Sequence, residues 1–444
     1  MVNSIKQKIH NLIYDERFSE ILTGSVWALS GRIIATAVGL ISSIIVARFY
    51  GVEIVGIVAV INTFLILVTI FTIFGTSTSI LRLIPEHLAK YSFTSAFKVY
   101  RKTQYMVIGT SVITASIFFF GANLIADKVF SKPHLSYYFA LASVFVVFKS
   151  IMELNIQAVR GLRLIKIFTL MQVLPQTCNL LFLIAVGLFW SASDVPVYAV
   201  LFGFALTGTI GWIIMEYAFK KRMQSCDTVH SISKRTIISI SLPMLMTATM
   251  GFLMSQTGIL MLGIFRTEAE VGYYAISVKL ASLTTFVFAA INSMAAPRFS
   301  ELFHSGEIEE LFYIAKKSAK LIFFTTSPIL AGLIFLGRPV ISIVFGADFL
   351  VSYQPLLILI FGQFVNTISG ASGYFMNMTD NHKMYRNIMI ITAGINILLN
   401  YSFIPKYGIS GAAIATMASV CFCNISTLTY IKIKYGKTTG YLPF

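Results

Sequence analysis

The chain has 444 residues, 57% hydrophobic and only 12% charged, with 34 Lys and Arg against 18 Asp and Glu for a net charge of +16. A soluble domain carries about 25% charged residues and could not cover this much apolar surface. The apolar residues also come in blocks of about twenty, the length that crosses ~30 Å of hydrocarbon, and not as the alternating ten-residue segments of a β-barrel. Composition predicts an all-α integral membrane protein with about 12 transmembrane helices.

The first twenty residues are polar, with Lys6, Lys8, Asp15, Glu16 and Arg17. They lack a short apolar core with a small-residue cleavage site, so no removable signal peptide is expected. Ile5, Ile9, Leu12 and Ile13 share one helical face, the pattern of a helix lying on the membrane surface. The apolar blocks then predict spans over 21–47, 54–81, 104–126, 136–157, 167–189 and 195–219, followed by 237–264, 271–296, 321–345, 355–378, 388–404 and 409–431. Two loops between spans are long enough to hold structure of their own. Ser92 precedes Phe93, Phe97 and Tyr100 at helical spacing, and Ser305 precedes Glu307, Glu309, Glu310, Leu311 and Phe312, with bases following in each case. Acids early and bases late suit a helix dipole, so each loop is expected to form a short amphipathic surface helix.

Short cytoplasmic loops retain an excess of Lys and Arg. The N-terminal segment, the loops after even-numbered spans and the C-terminal tail hold 25 of the 34 basic residues; the loops after odd-numbered spans hold Arg48, Lys128, Lys132, Arg266, Arg338 and Lys406. Both termini are therefore expected in the cytoplasm. The positive charge is spread over juxtamembrane loops that face anionic membrane lipids, which argues against nucleic acid as a partner. Cys178, Cys226, Cys421 and Cys423 show no metal or redox spacing and read as packing residues; no metal and no cofactor is expected.

The two halves of the chain look related. A shift of 216 residues places Val55-Gly56 on Val271-Gly272, Arg82 on Arg298 and Arg101 on Lys317. This predicts a six-helix unit over 1–219, a cytoplasmic linker over 220–236 that includes Lys220, Lys221, Arg222, Lys234 and Arg235, and a second six-helix unit over 237–444. Transporters built from such repeats bind substrate between the halves and alternate access by rocking.

Ionisable residues inside spans are costly and mark a water-filled cavity or a buried partner. Arg32, Lys149 and Lys279 fall within a band of roughly a dozen ångströms at ~1.5 Å per residue, and they come from both halves. Three cations at one depth predict a central cavity that receives an anion. Glu153 lies four residues after Lys149, on the same face of its span. It reads either as a neutralising partner or as an ion-coupling group that links transport to a proton or sodium gradient. Gln157, Gln256, Asn292, Gln363 and Asn366 are further candidates to line the cavity and bind sugar hydroxyls. Pro175, Pro243 and Pro328 are candidate kinks.

The ordered stretches GRIIATAVGLISSIIVARFYG (31–51), GYYAISVKL (272–280), INSMAAPRFSEL (291–302), GYFMNMT (373–379) and IPKYGISGAAIA (404–415) resemble the polysaccharide repeat-unit flippases. That is the O-antigen and capsule export family of the multidrug/oligosaccharidyl-lipid/polysaccharide (MOP) exporter superfamily. The resemblance implies two six-helix lobes in a V shape in a bacterial inner (cytoplasmic) membrane. It implies movement of an undecaprenyl-pyrophosphate-linked oligosaccharide from the cytoplasmic to the periplasmic leaflet, and a polysaccharide polymerase and chain-length regulator as partners. Lipid II flippases of the superfamily carry essential cations in spans one, two and eight. Arg32 and Lys279 match the first and last of these by position, and Arg48, at the outer end of span one, falls near the other. Lys149 and Glu153 have no counterpart. The competing readings are a multidrug exporter or another lipid-linked-precursor exporter of the same superfamily. A multidrug exporter of cations would want acidic groups in its cavity. A membrane enzyme is disfavoured because every outer loop is short and no acidic pair, nucleophile–base set or phosphate-cradling glycine loop is present.

Overall fold

In a computed structural model the chain is described over residues 16–190, 192–221 and 232–441, with side chains from Trp27 onward. The expected surface helix over 5–13, Cys226 and the central part of the linker, including Arg222, lie outside the described residues. In lipid no water satisfies backbone N–H and C=O groups, so a spanning segment must close its hydrogen bonds within itself. All regular elements among the described residues are helices, and ten are long and apolar enough to cross a membrane.

Two of these, Glu16–Ile73 and His382–Tyr435, are each two crossings joined at a glycine with positive φ, Gly51 at 81° and Gly408 at 55°. Only glycine adopts this region without steric cost. The chain reverses there: Asn396 donates to Ser419 at 3.0 Å although 23 residues separate them, which a straight helix would spread over ~35 Å. Ser42 and Ser43 likewise line one cavity together with Asn62 and Thr63, across Gly51. Twelve crossings result among the described residues, numbered here as spans 1 to 12. They run over 16–50, 52–73, Phe93–Phe120, Ser136–Gly161, Ile165–Phe189, Val195–Lys220, Lys234–Phe265, 268–304, Ile308–Val344, Tyr353–Ser369, 382–407 and 409–435.

The observed helices differ from the expected ones in four places, each with a local cause. The segment read as a surface helix after Ser92 is the start of span 3 itself: the Ser92 side chain accepts from the Ser95 N–H at 3.2 Å and caps Phe93–Phe120. The segment after Ser305 is likewise continuous with span 9, in a helix that runs unbroken over Ile308–Val344. In both, polarity changes along one helix that leaves the apolar zone, and it does not mark a separate element. Span 2 stops at Ile73 and resumes as Thr76–Lys90, because Gly75 (φ 74°) packs so closely on span 7 that a Cβ would lie 2.2 Å from the Ser241 carbonyl oxygen. Span 10 breaks in the same way at Gly370 (φ 62°), against Ala319, before Ser372–Met378.

Spans are joined by small residues and buried polar pairs, as expected where lipid offers no hydrophobic contrast. Thr72 bonds Ser150 at 2.6 Å, Ser79 bonds Ser241 at 2.7 Å, and the Tyr100 hydroxyl donates to Asn155 at 2.8 Å. The closest approach is between spans 2 and 8. A Cβ on Gly56 would lie 1.8 Å from the Glu268 carbonyl oxygen, and one on Gly272 would lie 2.3 Å from that of Val52. Residues 52 and 56 map onto 268 and 272 under the 216-residue shift, so this contact is reciprocal, the form a twofold axis imposes. The two glycines let the backbones meet where any side chain would hold them apart.

Candidate functional site

Two helical turns deeper than this glycine contact, spans 1, 2, 5, 6, 7 and 8 surround a cavity of about 340 Å3. Span 1 turns Gly39, Ser42, Ser43 and Val46 toward it, and span 2 turns Val55, Ala59, Asn62 and Thr63; spacings of three and four put each set on one helix face. Span 5 adds Pro175, Gln176 and Asn179, and span 6 adds Phe204. Lys279 of span 8 is the single charged side chain among the lining residues. Its ammonium donates to the Gly39 carbonyl at 2.5 Å and to the Ser43 hydroxyl, and it has no carboxylate within ion-pair distance among the described residues. One turn on, span 8 tightens into a 3-10 turn, Ser282–Thr284, whose Ser282 hydroxyl returns to the Lys279 carbonyl at 2.7 Å. Mid-helix 3-10 stretches often mark a functional hinge.

A second cross-link lies at the matching place in the repeat. Position 63 maps onto 279 under the same shift, and Thr63 donates to Gln256 of span 7 at 3.1 Å. One link is therefore neutral and the other cationic.

The structure brings only Lys279, of the four cations singled out in the sequence, to the cavity wall. Arg32 is exposed and has no hydrogen bond or ion pair with the described residues; it sits seven residues before Gly39, about 10 Å along the same helix face. Arg48 lies at the Gly51 end of span 1, where its guanidinium caps the last carbonyls of span 9, reaching Val344 at 3.1 Å and Ser342 at 3.4 Å as well as Ile343. Lys149 is 6% exposed and stands behind the wall, its ammonium 4.1 Å from the centroid of the Phe204 ring. The expected neutralising pair is not formed: Glu153 is half-buried and makes no ion pair within 4 Å with Lys149 or any other described base. A cation held over an aromatic face is tolerated without a carboxylate, which is why the i, i+4 spacing did not decide the partner.

Of the polar candidates, Gln256 lines the cavity, whereas Gln157, Asn292, Gln363 and Asn366 do not. Gln363 accepts from Thr284 and Asn366 at 3.4 and 3.5 Å, and Asn292 is buried with both carboxamide atoms unpaired among the described residues. Asn62, Gln176 and Asn179, which do line it, were not singled out. Gln176 and Asn179 are polar residues at i and i+3 within an apolar span, directly after Pro175, and that pattern was available in the sequence. Pro175 lies within span 5 and itself lines the cavity. Cys178 and Cys423 are buried and Cys421 half-buried, all unpaired, and no His, Cys, Asp and Glu cluster suited to a metal occurs among the described residues.

The fold is shared with solved transporters. The lipid II flippase MurJ in an inward closed conformation superposes with a TM-score of 0.71 over 93% of this chain and 87% of that one, at 18% identity. An inward-facing multidrug resistance transporter of the MATE family, in the MOP superfamily, superposes with 0.67 over 92% and 98%, at 14% identity. At these identities the likeness speaks for the fold. Among curated proteins, "Probable low-salt glycan biosynthesis flippase Agl15" of Haloferax volcanii is 21% identical over 252 residues, 55% of this chain and 52% of that protein, so the match spans about half that relative's length. Residues 44–354, well over half of the chain, match a family described as polysaccharide biosynthesis protein. The chain is a multi-pass membrane protein with the MOP-type fold and belongs to this polysaccharide biosynthesis family.

Proposed function

We propose that this protein is a flippase that carries a lipid-linked oligosaccharide across the membrane by alternating access. The observation that carries this reading is Lys279, a cation without a carboxylate partner among the described residues, in a cavity otherwise lined by apolar and neutral polar side chains. A phosphate-linked headgroup cannot cross hydrocarbon uncompensated, since even one charge at the bilayer centre costs ~3 kcal/mol or more. An ammonium is a compact point charge on a flexible stem, suited to following a moving phosphate. The proposed carrier is undecaprenyl pyrophosphate, its lipid chain left in the bilayer while the headgroup enters the cavity of about 340 Å3. Arg32, on the same face of span 1, meets the pyrophosphate first and Lys279 receives it. Arg48 acts from the opposite end of span 1, once it leaves the carbonyls that end span 9.

The halves 1–219 and 237–444, joined through 220–236, would move as the two units, pivoting near the reciprocal Gly56–Gly272 contact. With both termini cytoplasmic, export runs toward the outer leaflet of a bacterial inner membrane, feeding O-antigen, capsule or exopolysaccharide synthesis in company with a polymerase and chain-length regulator. Glu153, half-buried and outside any ion pair among the described residues, is the candidate for coupling to a proton or sodium gradient. A multidrug exporter of cations is the alternative, and it is disfavoured by the lack of a carboxylate among the lining residues.

The test is transport in proteoliposomes of a fluorescent polyprenyl-pyrophosphate-linked sugar. Lys279→Ala is expected to abolish it with unchanged protein level and melting temperature, and Lys279→Arg to restore part of it. Normal transport by Lys279→Ala would overturn the proposal, as would accumulation of lipophilic cations driven by the wild-type chain.

A further inference from the structure

We infer that Asn62, Gln176 and Asn179 form a carboxamide wall that reads the sugar attached to the phosphate, and so sets which glycan the cavity accepts; this rests on the transport reading above. Each carboxamide offers one acceptor oxygen and two N–H donors. All three side chains line the cavity, and none makes a hydrogen bond with the described residues. The other carboxamides of the spans either lie away from the cavity, as the unpaired Asn292 does, or are engaged with protein partners. Gln256 accepts from Thr63, Asn396 and Asn400 bond each other and Ser419, and Asn424 donates to Asn366. The three side chains are half-buried and border the open cavity, so their unspent donors and acceptors suit a ligand that brings both. Sugar hydroxyls do both.

The wall is close enough to the cation to act on one headgroup. The Gln176 Oε1 atom would lie 3.1 Å from a Cβ on Gly39, while Lys279 Nζ holds the Gly39 carbonyl at 2.5 Å. With standard backbone bond lengths, the two side chains are under about 10 Å apart. A phosphate held at Lys279 thus places the first sugar against Gln176 and, one turn further along span 5, Asn179. Gly39 is what keeps the passage between them open, since any side chain there would press on the Gln176 carboxamide. Phe204 adds an aromatic surface to the same cavity, backed by the Lys149 ammonium, which gives Lys149 a positioning role without contact to the phosphate.

The experiment uses the full chain in proteoliposomes with three fluorescent probes: polyprenyl pyrophosphate bearing N-acetylglucosamine, the same bearing galactose, and the same with no sugar. Asn62→Ala, Gln176→Ala and Asn179→Ala are each expected to slow the sugar-bearing probes roughly five- to tenfold, the worth of one neutral hydrogen bond, with the sugar-free probe within twofold of wild type. Gln176→Asn, which keeps the amide and shortens the reach, should change the ranking of the two sugars. Equal slowing of all three probes would overturn the inference and make the wall a packing feature. No effect on any probe would overturn it too, leaving the amides to water. Lys279→Ala separates the two readings: if it stops all three probes while the amide variants leave sugar preference untouched, the flippase stands and the sugar wall falls.

Discussion

Spans 1 and 2 meet spans 7 and 8 in two ways, and the contrast separates what is fixed from what can move. Near Gly51 the contact is backbone on backbone through Gly56 and Gly272, and it is reciprocal. Two turns deeper the same spans meet through side chains at positions 63 and 279, and there the repeat is broken: Thr63 with Gln256 is neutral, Lys279 with Gly39 and Ser43 is cationic. Glycine pairs can be kept only by keeping both members small, so the 216-residue correspondence holds at this contact. Side-chain links tolerate divergence, and the chain has spent that freedom on placing one charge. Close packing at one depth and a charge at the other are thus set two turns apart along spans 2 and 8.

The sharpest way to break the comparison is at the glycines. Gly56→Ala adds a Cβ whose nearest neighbour is backbone, at 1.8 Å, and backbone cannot rotate away as a side-chain tip can. The cost is expected at ~3 kcal/mol or more, the upper range for overpacking, read as a melting temperature lowered by many degrees or as loss of detergent-stable protein. Gly272→Ala should behave alike because the contact is reciprocal. A large effect at one and none at the other would deny the reciprocity.

Lys279→Met keeps length and apolar volume while removing the charge, so its effect falls on transport and not on folding. Transport of a pyrophosphate-linked probe is expected to fall at least a hundredfold, since the lost charge compensation is worth ~3 kcal/mol, with melting temperature unchanged or raised. Lys149→Met tests the position behind the wall. It removes a cation–π contact worth ~2 kcal/mol when desolvated, and also an ammonium that is costly to bury. Stability should therefore change little, with a severalfold slowing of transport confined to sugar-bearing probes. Slowing of the sugar-free probe to the same degree would place Lys149 on the phosphate and not behind Phe204.

The spans were legible in the sequence because they rest on a one-dimensional signal, block length, and Lys279 stood out as a charge inside an apolar run. Direction was not legible. Of Arg32, Lys149 and Lys279, only Lys279 turns toward the cavity, because the packing of neighbouring spans decides which way each face points. Gly75 and Gly370 show a related limit. A break at an isolated glycine inside an apolar run is legible only when one knows that Ser241 or Ala319 presses against it. The carboxamide wall escaped for a third reason: Asn62, Gln176 and Asn179 look like any of the polar residues that join helices in a membrane, and what distinguishes them is that they line the cavity.

The smallest expected effect is at the neutral link. Thr63→Val removes the hydroxyl that donates to Gln256 at 3.1 Å while keeping the β-branched shape, and Thr63 is 1% exposed. The net loss is one neutral hydrogen bond, about 1 kcal/mol, with the Gln256 oxygen left to face the cavity and its water. Melting temperature should fall by a few degrees at most and transport by less than threefold. Ser43→Ala, at the cationic link, removes only one of the two acceptors that hold Lys279, so the ammonium keeps the Gly39 carbonyl. The bound ground state is weakened, and a phosphate competes for the ammonium more easily. The apparent affinity for the probe should rise rather than fall. If Ser43→Ala instead lowers affinity as Lys279→Met does, then Ser43 itself contacts the headgroup, and the link at 279 is part of the bound state and not the latch that binding releases.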